Sequence, residues 1–376
     1  MSSQLPEKHV QNATRVSFLI AGLATAAWAP LVPYAKNRLN LDEHTLGMLL
    51  LCLGAGSIIS MPLAGILTAR FGCRRLIIIS SLMLCLVLPW LALAPTLWGM
   101  VAGLLFFGVS IGILDVVINV QAIIVERDSG KKMMSGFHGL FSLGGILGAS
   151  GLALALWSGL SSVKATLIVC VIIIALLIIY GRHLLPNAVE QQGPIFVLPH
   201  GSIILIGALC FISFLAEGAM LDWSAVFLTS NRGLDTSYGG LGYAAFAATM
   251  TVGRLTGDFF VRAFGGVVIL AFGGLCAACG FIIAVIFPHP AAAFLGFALV
   301  GLGASNIVPV LYSATGRQRI MPANLAVAAV TMIGYSGILT GPAAIGFIAH
   351  ATSLPTALLF IAALLVLLSM SCRIAK

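Results

Sequence analysis

Charged residues are scarce in this sequence, and acidic residues are the scarcest of them. Only 8% of the 376 residues are charged and 11 are acidic, whereas 60% are hydrophobic. Soluble globular domains carry about 25% charged residues, so most of this surface is expected to face lipid. The net charge of +8 does not indicate a nucleic-acid partner, because the basic residues lie in short hydrophilic segments between apolar runs.

Several signatures of enzymes are also missing. The chain has no Walker loop and no H-E-x-x-H element, which argues against ATP-driven chemistry and zinc-dependent hydrolysis. Cys276 and Cys279 form a C-x-x-C pattern, but it lies within an apolar run, where thiols behave as small hydrophobes. No extended polar segment is present to hold a soluble catalytic domain. We therefore expect neither enzymatic activity, nor a cofactor, nor a metal site.

Long apolar runs dominate what is present. About 20 apolar residues cross a bilayer, and backbone groups in lipid must pair within their own segment, so such runs are expected to be helices. Twelve runs qualify, at residues 16–35, 46–68, 76–94, 97–124, 134–158, 163–184, 201–228, 238–260, 266–287, 290–314, 325–349 and 353–371. The sequence thus predicts an all-α polytopic membrane protein with twelve transmembrane helices.

Lysine and arginine residues predict the orientation of these spans. With the N-terminus inside, fourteen of them lie on the cytoplasmic side, and only Lys36, Arg38, Lys164 and Arg232 lie on the opposite side. Cytoplasmic loops of membrane proteins carry an excess of basic residues. Both termini are therefore expected to be cytoplasmic.

The two halves of the chain resemble each other. Four features recur in the same order: Trp28 and Trp223, residues 65–72 and 257–265, residues 112–115 and 303–306, and the glycine pairs Gly139 with Gly148 and Gly337 with Gly346. Internal repeats of this kind indicate a duplicated architecture. We predict two pseudo-symmetric six-helix bundles, residues 1–185 and 200–376, joined by a cytoplasmic linker at residues 186–199.

Two parallel six-helix repeats are typical of the major facilitator superfamily. Several short sequence motifs also resemble those of this family. Residues 65–75, read as GILTARFGCRR, resemble that family's G-x-x-x-D-R-x-G-R-R loop, except that Ala69 replaces the acid and Cys73 a base. Glu126 or Asp128 could supply the missing charge. Residues 115–121, 137–139, 217–224 and 253–258 resemble a bacterial subset related to the fucose permeases.

This resemblance implies a secondary transporter in the bacterial inner membrane. In the family, rocking of the two bundles exposes a central cavity to alternate sides, and the first, fourth, seventh and tenth helices line that cavity. It also implies a small-molecule substrate and the lipid bilayer as partners. We expect the protein to be a monomer.

Asp115 is the first candidate for a functional residue. Gly108, Gly112, Asp115 and Asn119 are spaced to share one small, polar helical face. An ionisable residue inside a span is costly, which favours a role that needs it. Asp115 could therefore load and release a proton, or it could remain hydrogen-bonded and position a neighbour.

Four further ionisable residues lie in predicted spans. Glu217 and Asp222 are five residues apart and should not share a helical face, so we expect Glu217 to bind a proton or substrate and Asp222 to be a rim or helix-contact acid. Arg254 and Asp258 have i, i+4 spacing on one helical face and could form an intrahelical or an interdomain ion pair near the cytoplasmic gate. Further candidates for gate ion pairs, or ordinary topology charges, are Arg70, Arg74, Glu126 and Arg127.

The remaining candidates are polar or aromatic. His138 could relay protons or cap a helix, and Asn306, the repeat mate of Asp115, could bind substrate hydroxyls. Trp28 and Trp223 could stack on a sugar ring or anchor the membrane interface. The sequence therefore predicts proton-coupled transport of a small polar solute. Efflux of amphipathic compounds by proton antiport and a non-transporting membrane sensor remain alternatives.

Overall fold

The computed structural model describes residues 7–41, 43–186, 198–235 and 240–376. Within these ranges the regular structure is helical and no strand occurs. The α-helices are α1 (Glu7–Ala26), α2 (Val32–Leu39), α3 (Glu43–Leu93), α4 (Leu97–Ser129), α5 (Met134–Trp157), α6 (Ser162–Tyr180), α7 (Ser202–Arg232), α8 (Gly240–Ile286), α9 (Pro290–Ala304), α10 (Ile307–Arg317), α11 (Ala323–Ala351) and α12 (Leu354–Met370). The prediction of an all-α polytopic membrane protein is confirmed.

The helices account for the twelve predicted spans. Nine helical segments of the described residues are long and apolar enough to cross a membrane, and α12 is a shorter apolar helix of 17 residues. Both α3 and α8 are divided by a glycine with non-helical backbone angles. The second and third spans are the two limbs of α3, and the eighth and ninth are the two limbs of α8. The tenth span comprises α9 and α10.

The two dividing glycines occupy equivalent positions of the predicted repeat. Gly72 has φ 79° and ψ 163°, and Gly265 has φ 79° and ψ 159°. Residues with a Cβ atom rarely adopt a positive φ, whereas glycine does so readily. The match between residues 65–72 and 257–265 thus corresponds to one conformation used twice.

A pair of arginines repeats in the same way. Arg38, in the last turn of α2, donates to three carbonyl groups near the C-terminus of α3, at 3.1, 2.6 and 2.8 Å. Arg232, in the last turn of α7, donates to the carbonyls of Ala284 and Val285 near the C-terminus of α8, at 2.6 and 2.7 Å. The last carbonyls of a helix lack intrahelical partners, so each arginine satisfies a helix end. The sequence predicted only topology charges at these positions.

One predicted repeat match is wrong. Gly139 lies five residues after the start of α5, whereas Gly337 lies fourteen residues after the start of α11. The contacts instead make Gly144 the repeat equivalent of Gly337. A Cβ atom on Gly144 would overlap the Leu19 carbonyl of α1, and one on Gly337 would overlap the Phe211 carbonyl of α7. Glycines are so frequent in these helices that several registers align equally well by sequence.

The chain divides into two compact units. Unit 1 comprises Met1–Lys131, Leu140–Leu198 and Met321–Ala328, and unit 2 comprises Lys132–Gly139, Pro199–Ile320 and Ala329–Lys376. The first residues of α5 thus belong to unit 2, and those of α11 belong to unit 1. Most of the predicted linker, residues 187–197, lies outside the described residues.

Glycines bring α1 and α5 close together within unit 1. A Cβ atom on Gly22 of α1 would overlap the carbonyl oxygen of Phe141, and one on Gly148 of α5 would overlap the carbonyl oxygen of Leu23. Helices in membranes approach most closely where small residues face each other. This contact fixes the position of α1, which leads into the turn that carries Trp28.

Candidate functional site

Asp115 lies near the middle of α4 in unit 1. Its side chain is half-buried, and Asn119, one turn later, is fully buried. The Asn119 amide nitrogen donates to the Asp115 backbone carbonyl at 2.9 Å and contacts the carboxylate oxygen Oδ1 at 3.4 Å. Asp115 and Asn119 therefore contact each other along one side of α4.

The glycines of the same predicted face pack against α3. The Ser57 hydroxyl donates to the Gly108 carbonyl at 2.9 Å, and a Cβ atom on Gly112 would overlap the hydroxyl of Ser60. The face therefore serves two purposes along its length. Its first half allows close helix packing, and its second half carries Asp115 and Asn119.

The Asp115 carboxylate has no cationic neighbour among the described residues. No lysine, arginine or histidine nitrogen in those ranges lies within 4.0 Å of it. Ionisable residues in membrane spans commonly pair with one another or with backbone groups. Without a cation, the negative charge of this acid can be neutralised locally only by a proton.

Glu217 and Arg254 form an ion pair inside unit 2. Arg254 Nη2 lies 3.1 Å from Glu217 Oε1 and joins the first limb of α8 to α7. The Glu217 side chain is 17% exposed and that of Arg254 is 8% exposed. The pair is thus removed from bulk solvent but not sealed on the glutamate side. Asp222, five residues further along α7, is exposed, in agreement with the different helical face predicted for it.

A break in the tenth span supplies the second partner of Arg254. α9 ends at Ala304 and α10 begins at Ile307, and Ser305 and Asn306 form the turn between them. Arg254 Nε donates to the Ser305 carbonyl at 3.3 Å. Discontinuous helices occur at the binding sites of many transporters, because their unwound backbone offers polar groups.

Asn306, at this break, is 8% exposed and only partly satisfied. Its amide nitrogen donates to the Gly253 carbonyl at 2.9 Å and contacts the Ser305 hydroxyl at 3.0 Å. Its amide oxygen Oδ1 is buried and accepts no hydrogen bond from the described residues. The absence of a side chain at Gly257 leaves room for this oxygen, since a Cβ atom there would overlap it.

His138 and Asp258 lie where the start of α5 packs within unit 2. Asp258 Oδ2 accepts a hydrogen bond from the Gly136 backbone N–H at 3.0 Å. The first N–H groups of a helix lack intrahelical partners and favour a nearby anion. The His138 ring centroid lies 5.6 Å from that of Tyr312, whose hydroxyl forms a 2.7 Å hydrogen bond with the Thr331 hydroxyl.

Trp28 and Trp223 share an unusual feature. Each indole nitrogen is buried and has no hydrogen-bond partner in the part of the chain that the structure describes. Trp28 lies in the turn after α1 and is 5% exposed, and Trp223 on α7 is half-buried. A buried donor without a partner costs about 1–3 kcal/mol, so these two N–H groups are available to a polar ligand.

Arg74 connects two parts of unit 1. Its Nε atom donates to the Leu184 carbonyl at 2.9 Å, its guanidinium also donates to the Arg182 carbonyl, and its backbone N–H donates to the Leu185 carbonyl at 2.9 Å. These bonds attach the second limb of α3 to the segment that follows α6. Each of its described hydrogen bonds is to a backbone carbonyl group.

The other predicted gate residues of unit 1 differ in burial. Arg70 is exposed, with its guanidinium carbon 5.4 Å from the Phe71 ring centroid, whereas Glu126 is buried. Arg127 pairs with Asp128 at 3.2 Å, and the two side chains are 58% and 61% exposed. An exposed ion pair of this kind contributes about 0–1 kcal/mol.

Gln121 is a buried polar residue that the sequence did not single out. Its amide nitrogen donates to the Thr14 hydroxyl at 2.9 Å, and its amide oxygen accepts from the Leu185 backbone N–H at 3.3 Å. It thereby connects α4 to α1 and to the segment after α6. The sequence feature that could have identified it is a polar amide side chain within an apolar run.

In the described ranges, no group of three or more histidine, cysteine, aspartate or glutamate side chains is arranged to hold a metal ion.

Comparison with known proteins places the chain in a family. A sequence profile of the Major Facilitator Superfamily matches residues 16–320. The chain is 52% identical to an uncharacterized MFS-type transporter of Yersinia pestis over 99% of both proteins. It is 33% identical to the membrane protein MosC of Rhizobium meliloti over 94% of this chain and 86% of that one.

Solved structures show the same fold at low sequence identity. The crystal structure of the E. coli fucose:proton symporter FucP superimposes with a TM-score of 0.76 at 16% identity, covering 97% of this chain and 98% of that one. The human organic anion transporter MFSD10 gives 0.76 at 17% identity, covering 99% and 100%. The family profile, the bacterial relatives and the shared fold agree: the chain belongs to the major facilitator superfamily and is a multi-pass membrane transporter.

Proposed function

We propose that this protein is a secondary active transporter that moves a small polar solute across the bacterial inner membrane by alternating access, coupled to protons. Its two six-helix bundles, residues 1–185 and 200–376, provide the two moving bodies, and both termini are cytoplasmic. Asp115 or Glu217 holds the proton. This proposal goes beyond the family assignment in naming the coupling ion, the polarity of the solute and the residues involved.

The observation that carries the proposal is the environment of Asp115. This carboxyl group lies in the middle of an apolar helix and has no cation of the described residues within 4.0 Å. It is neutral when it carries a proton and charged when it releases one. Moving such a charge through lipid is costly. Release is therefore favoured only when the site opens to water, which is the property that proton coupling requires.

One such carboxyl group provides enough driving force for accumulation. Moving one charge down about 100 mV yields about 2.3 kcal/mol, and about 1.4 kcal/mol changes an equilibrium tenfold, so a single proton supports roughly fiftyfold accumulation. No nucleotide site is needed to supply that energy.

The polar groups of unit 2 favour a polar solute over an amphipathic one. Glu217, Arg254 and the amide of Asn306 lie together near the break between α9 and α10. A binding site for amphipathic compounds is expected to be mostly apolar with a single acid. The second predicted function, efflux of amphipathic compounds, therefore has less support from these residues.

Solute-driven proton movement in proteoliposomes tests the proposal. Sugars, sugar acids, amino acids and amphipathic cations would be added in turn to vesicles that contain the reconstituted protein and a pH-sensitive dye. We expect a polar solute to drive proton movement with the unmodified protein and the Asp115→Asn variant to lose it. Glu7→Gln is the control, because Glu7 is exposed and its contacts among the described residues, with Lys131 and Gln11, lie away from Asp115 and Glu217 in sequence.

Two results would contradict the proposal. Proton movement that is unchanged in both Asp115→Asn and Glu217→Gln would remove these acids from the coupling mechanism. Solute flux without any proton movement would remove the coupling itself. A response to amphipathic cations alone would favour the efflux function.

A further inference from the structure

The Arg254–Glu217 pair has the arrangement of an exchangeable anion site. Arg254 is the more deeply buried member, at 8% exposure, and the acceptors of its guanidinium include Glu217 Oε1 and the Ser305 carbonyl, which lie on different elements. Glu217 is 17% exposed. The cation is therefore fixed, and the more accessible acid occupies a position where another carboxylate would make the same contact.

We propose that Arg254 binds the carboxylate of a small hydroxylated organic acid, which displaces Glu217 while a proton neutralises Glu217. This inference rests on the proposed transport function and names the substrate class for it. No covalent bond of the substrate changes. The proton bonds to a Glu217 carboxylate oxygen, and the substrate carboxylate accepts the Arg254 hydrogen bond that Glu217 releases.

Charge balance supports the exchange. The unoccupied pair is neutral, with one cation and one anion, and the occupied site is also neutral, with Arg254, the substrate anion and a protonated Glu217. Breaking a buried pair so that one charge remains uncompensated is strongly unfavourable. Substrate and proton are therefore expected to bind together, because either one alone leaves a net charge in the bundle.

Arginine suits this role better than lysine would. Its guanidinium is planar, always charged and presents several N–H donors in a fixed fork that matches a carboxylate. Here Nε is directed toward the Ser305 carbonyl, which is available because the helix is interrupted at Ser305 and Asn306. The helix break thus orients the fork while leaving Nη2 for the exchanging anion.

Buried polar groups near the pair fit the hydroxyls of the substrate. Ser213 lies one turn before Glu217 on α7, and its hydroxyl is buried with no hydrogen-bond partner within the described ranges. Asn306 follows Ser305, and its amide oxygen is likewise buried with no partner among those residues. One group can donate or accept and the other accepts. A carboxylate with hydroxyl groups would satisfy both, whereas a simple fatty acid would not.

The other titratable groups near the pair lie on several elements. Among the described residues, groups within electrostatic range of Glu217 or Arg254 include Cys210 on α7, Tyr243 on α8 and His138 on α5, and Asp222 lies within range of Tyr243. Asp258 lies one turn after Arg254 on α8. None of these contributes a second positive charge of the arginine type. Arg254 is therefore the group whose removal should distinguish an anion from a neutral solute.

Matched ligands test the substrate class on the purified full-length protein. Gluconate with glucose, and lactate with lactamide, differ in the presence of the carboxylate, and hexanoate lacks the hydroxyls. Thermal unfolding would be measured at about pH 5.5 and about pH 7.5, because a bound ligand raises the melting temperature by mass action. We expect at least one hydroxylated carboxylate to stabilise the protein, more strongly at the lower pH, and its neutral counterpart and hexanoate to have no effect.

Variants of Arg254 and Glu217 then test whether the carboxylate binds at this pair. Glu217→Gln removes the competing anion, so the carboxylate should bind about tenfold tighter or more, and its pH dependence should disappear. The double variant Arg254→Gln with Glu217→Gln keeps the site neutral, should fold, and should lose carboxylate binding. Arg319→Gln is the control, because Arg319 is exposed.

Several outcomes would overturn the inference. These are stabilisation by glucose or lactamide equal to that by the matching carboxylate, carboxylate binding that survives in the double variant, or a panel in which no hydroxylated carboxylate binds. A neutral solute that drives proton movement through Asp115 would keep the proposed function while removing this substrate class. If a hydroxylated carboxylate binds but no solute drives proton movement, the binding site for that acid would stand and the proposed proton-coupled transport would be contradicted.

Discussion

Replacing Gly148 with alanine is expected to separate α1 from α5. A Cβ atom at this position would overlap the Leu23 carbonyl oxygen and lie 3.0 Å from the Leu23 Cα atom. These are backbone atoms that cannot rotate aside as a side chain can, so the helices must move apart. Extra methyl groups in a well-packed core cost about 1–3 kcal/mol.

Gly151, three residues further along α5, provides a matched control. A Cβ atom there meets no atom within 4 Å, and the residue is exposed. Replacing a helical glycine with alanine stabilises a helix by about 0.5–1 kcal/mol, and this gain applies equally to both positions. It cancels in the comparison, so the difference in the free energy of unfolding between the two variants should be the steric cost of about 1–3 kcal/mol.

Thermal unfolding of the purified variants in one detergent measures this difference. We expect Gly151→Ala to unfold at or above the temperature of the unmodified protein and Gly148→Ala to unfold below Gly151→Ala. Equal stability of the two variants would refute the reasoning, because it would mean that α1 and α5 do not approach each other at Gly148.

Further predictions concern the helix ends and the buried amide. Gly265→Ala should lower stability by about 1–2 kcal/mol, because no side chain crowds the position and only the positive φ is penalised; an unchanged melting temperature would contradict this. Arg232→Gln should lower the free energy of unfolding by about 1–3 kcal/mol, because two helix-end carbonyls lose their hydrogen-bond donor. The control Arg319→Gln, at an exposed residue, should leave the unfolding temperature unchanged. Gln121→Leu should cost about 1–3 kcal/mol, since the Leu185 backbone N–H loses its acceptor, and equal stability in a thermal unfolding assay would refute that bond.

The transmembrane helices could be predicted from the sequence because a lipid bilayer requires long apolar segments. Each span needs about 20 apolar residues, and this requirement is visible without any knowledge of packing. The repeat was also accessible where a special conformation fixed its register, as at Gly72 and Gly265, which share the same positive φ. Where only abundant small residues were matched, as at Gly139 and Gly337, the register was wrong by several residues.

Contacts between side chains on different helices could not be predicted from the sequence. The i, i+4 spacing of Arg254 and Asp258 indicated an intrahelical or interdomain ion pair, but it could not show that Arg254 contacts Glu217 on another helix or that Asp258 accepts from the N–H of Gly136. Local spacing reports neighbours on one helix only. The helix-end contacts of Arg38 and Arg232 were unpredictable for the same reason, since their acceptors lie more than fifty residues further along the chain.

The measurement that tests proton coupling most directly compares accumulation with exchange in Asp115→Asn. Proteoliposomes would be given the solute that drives proton movement, and uptake against a gradient and one-for-one exchange across equal concentrations would be measured in parallel. If Asp115 carries the coupled proton, the variant should retain exchange, which needs only alternating access, and lose accumulation. Accumulation equal to that of the unmodified protein in both Asp115→Asn and Glu217→Gln would contradict the account.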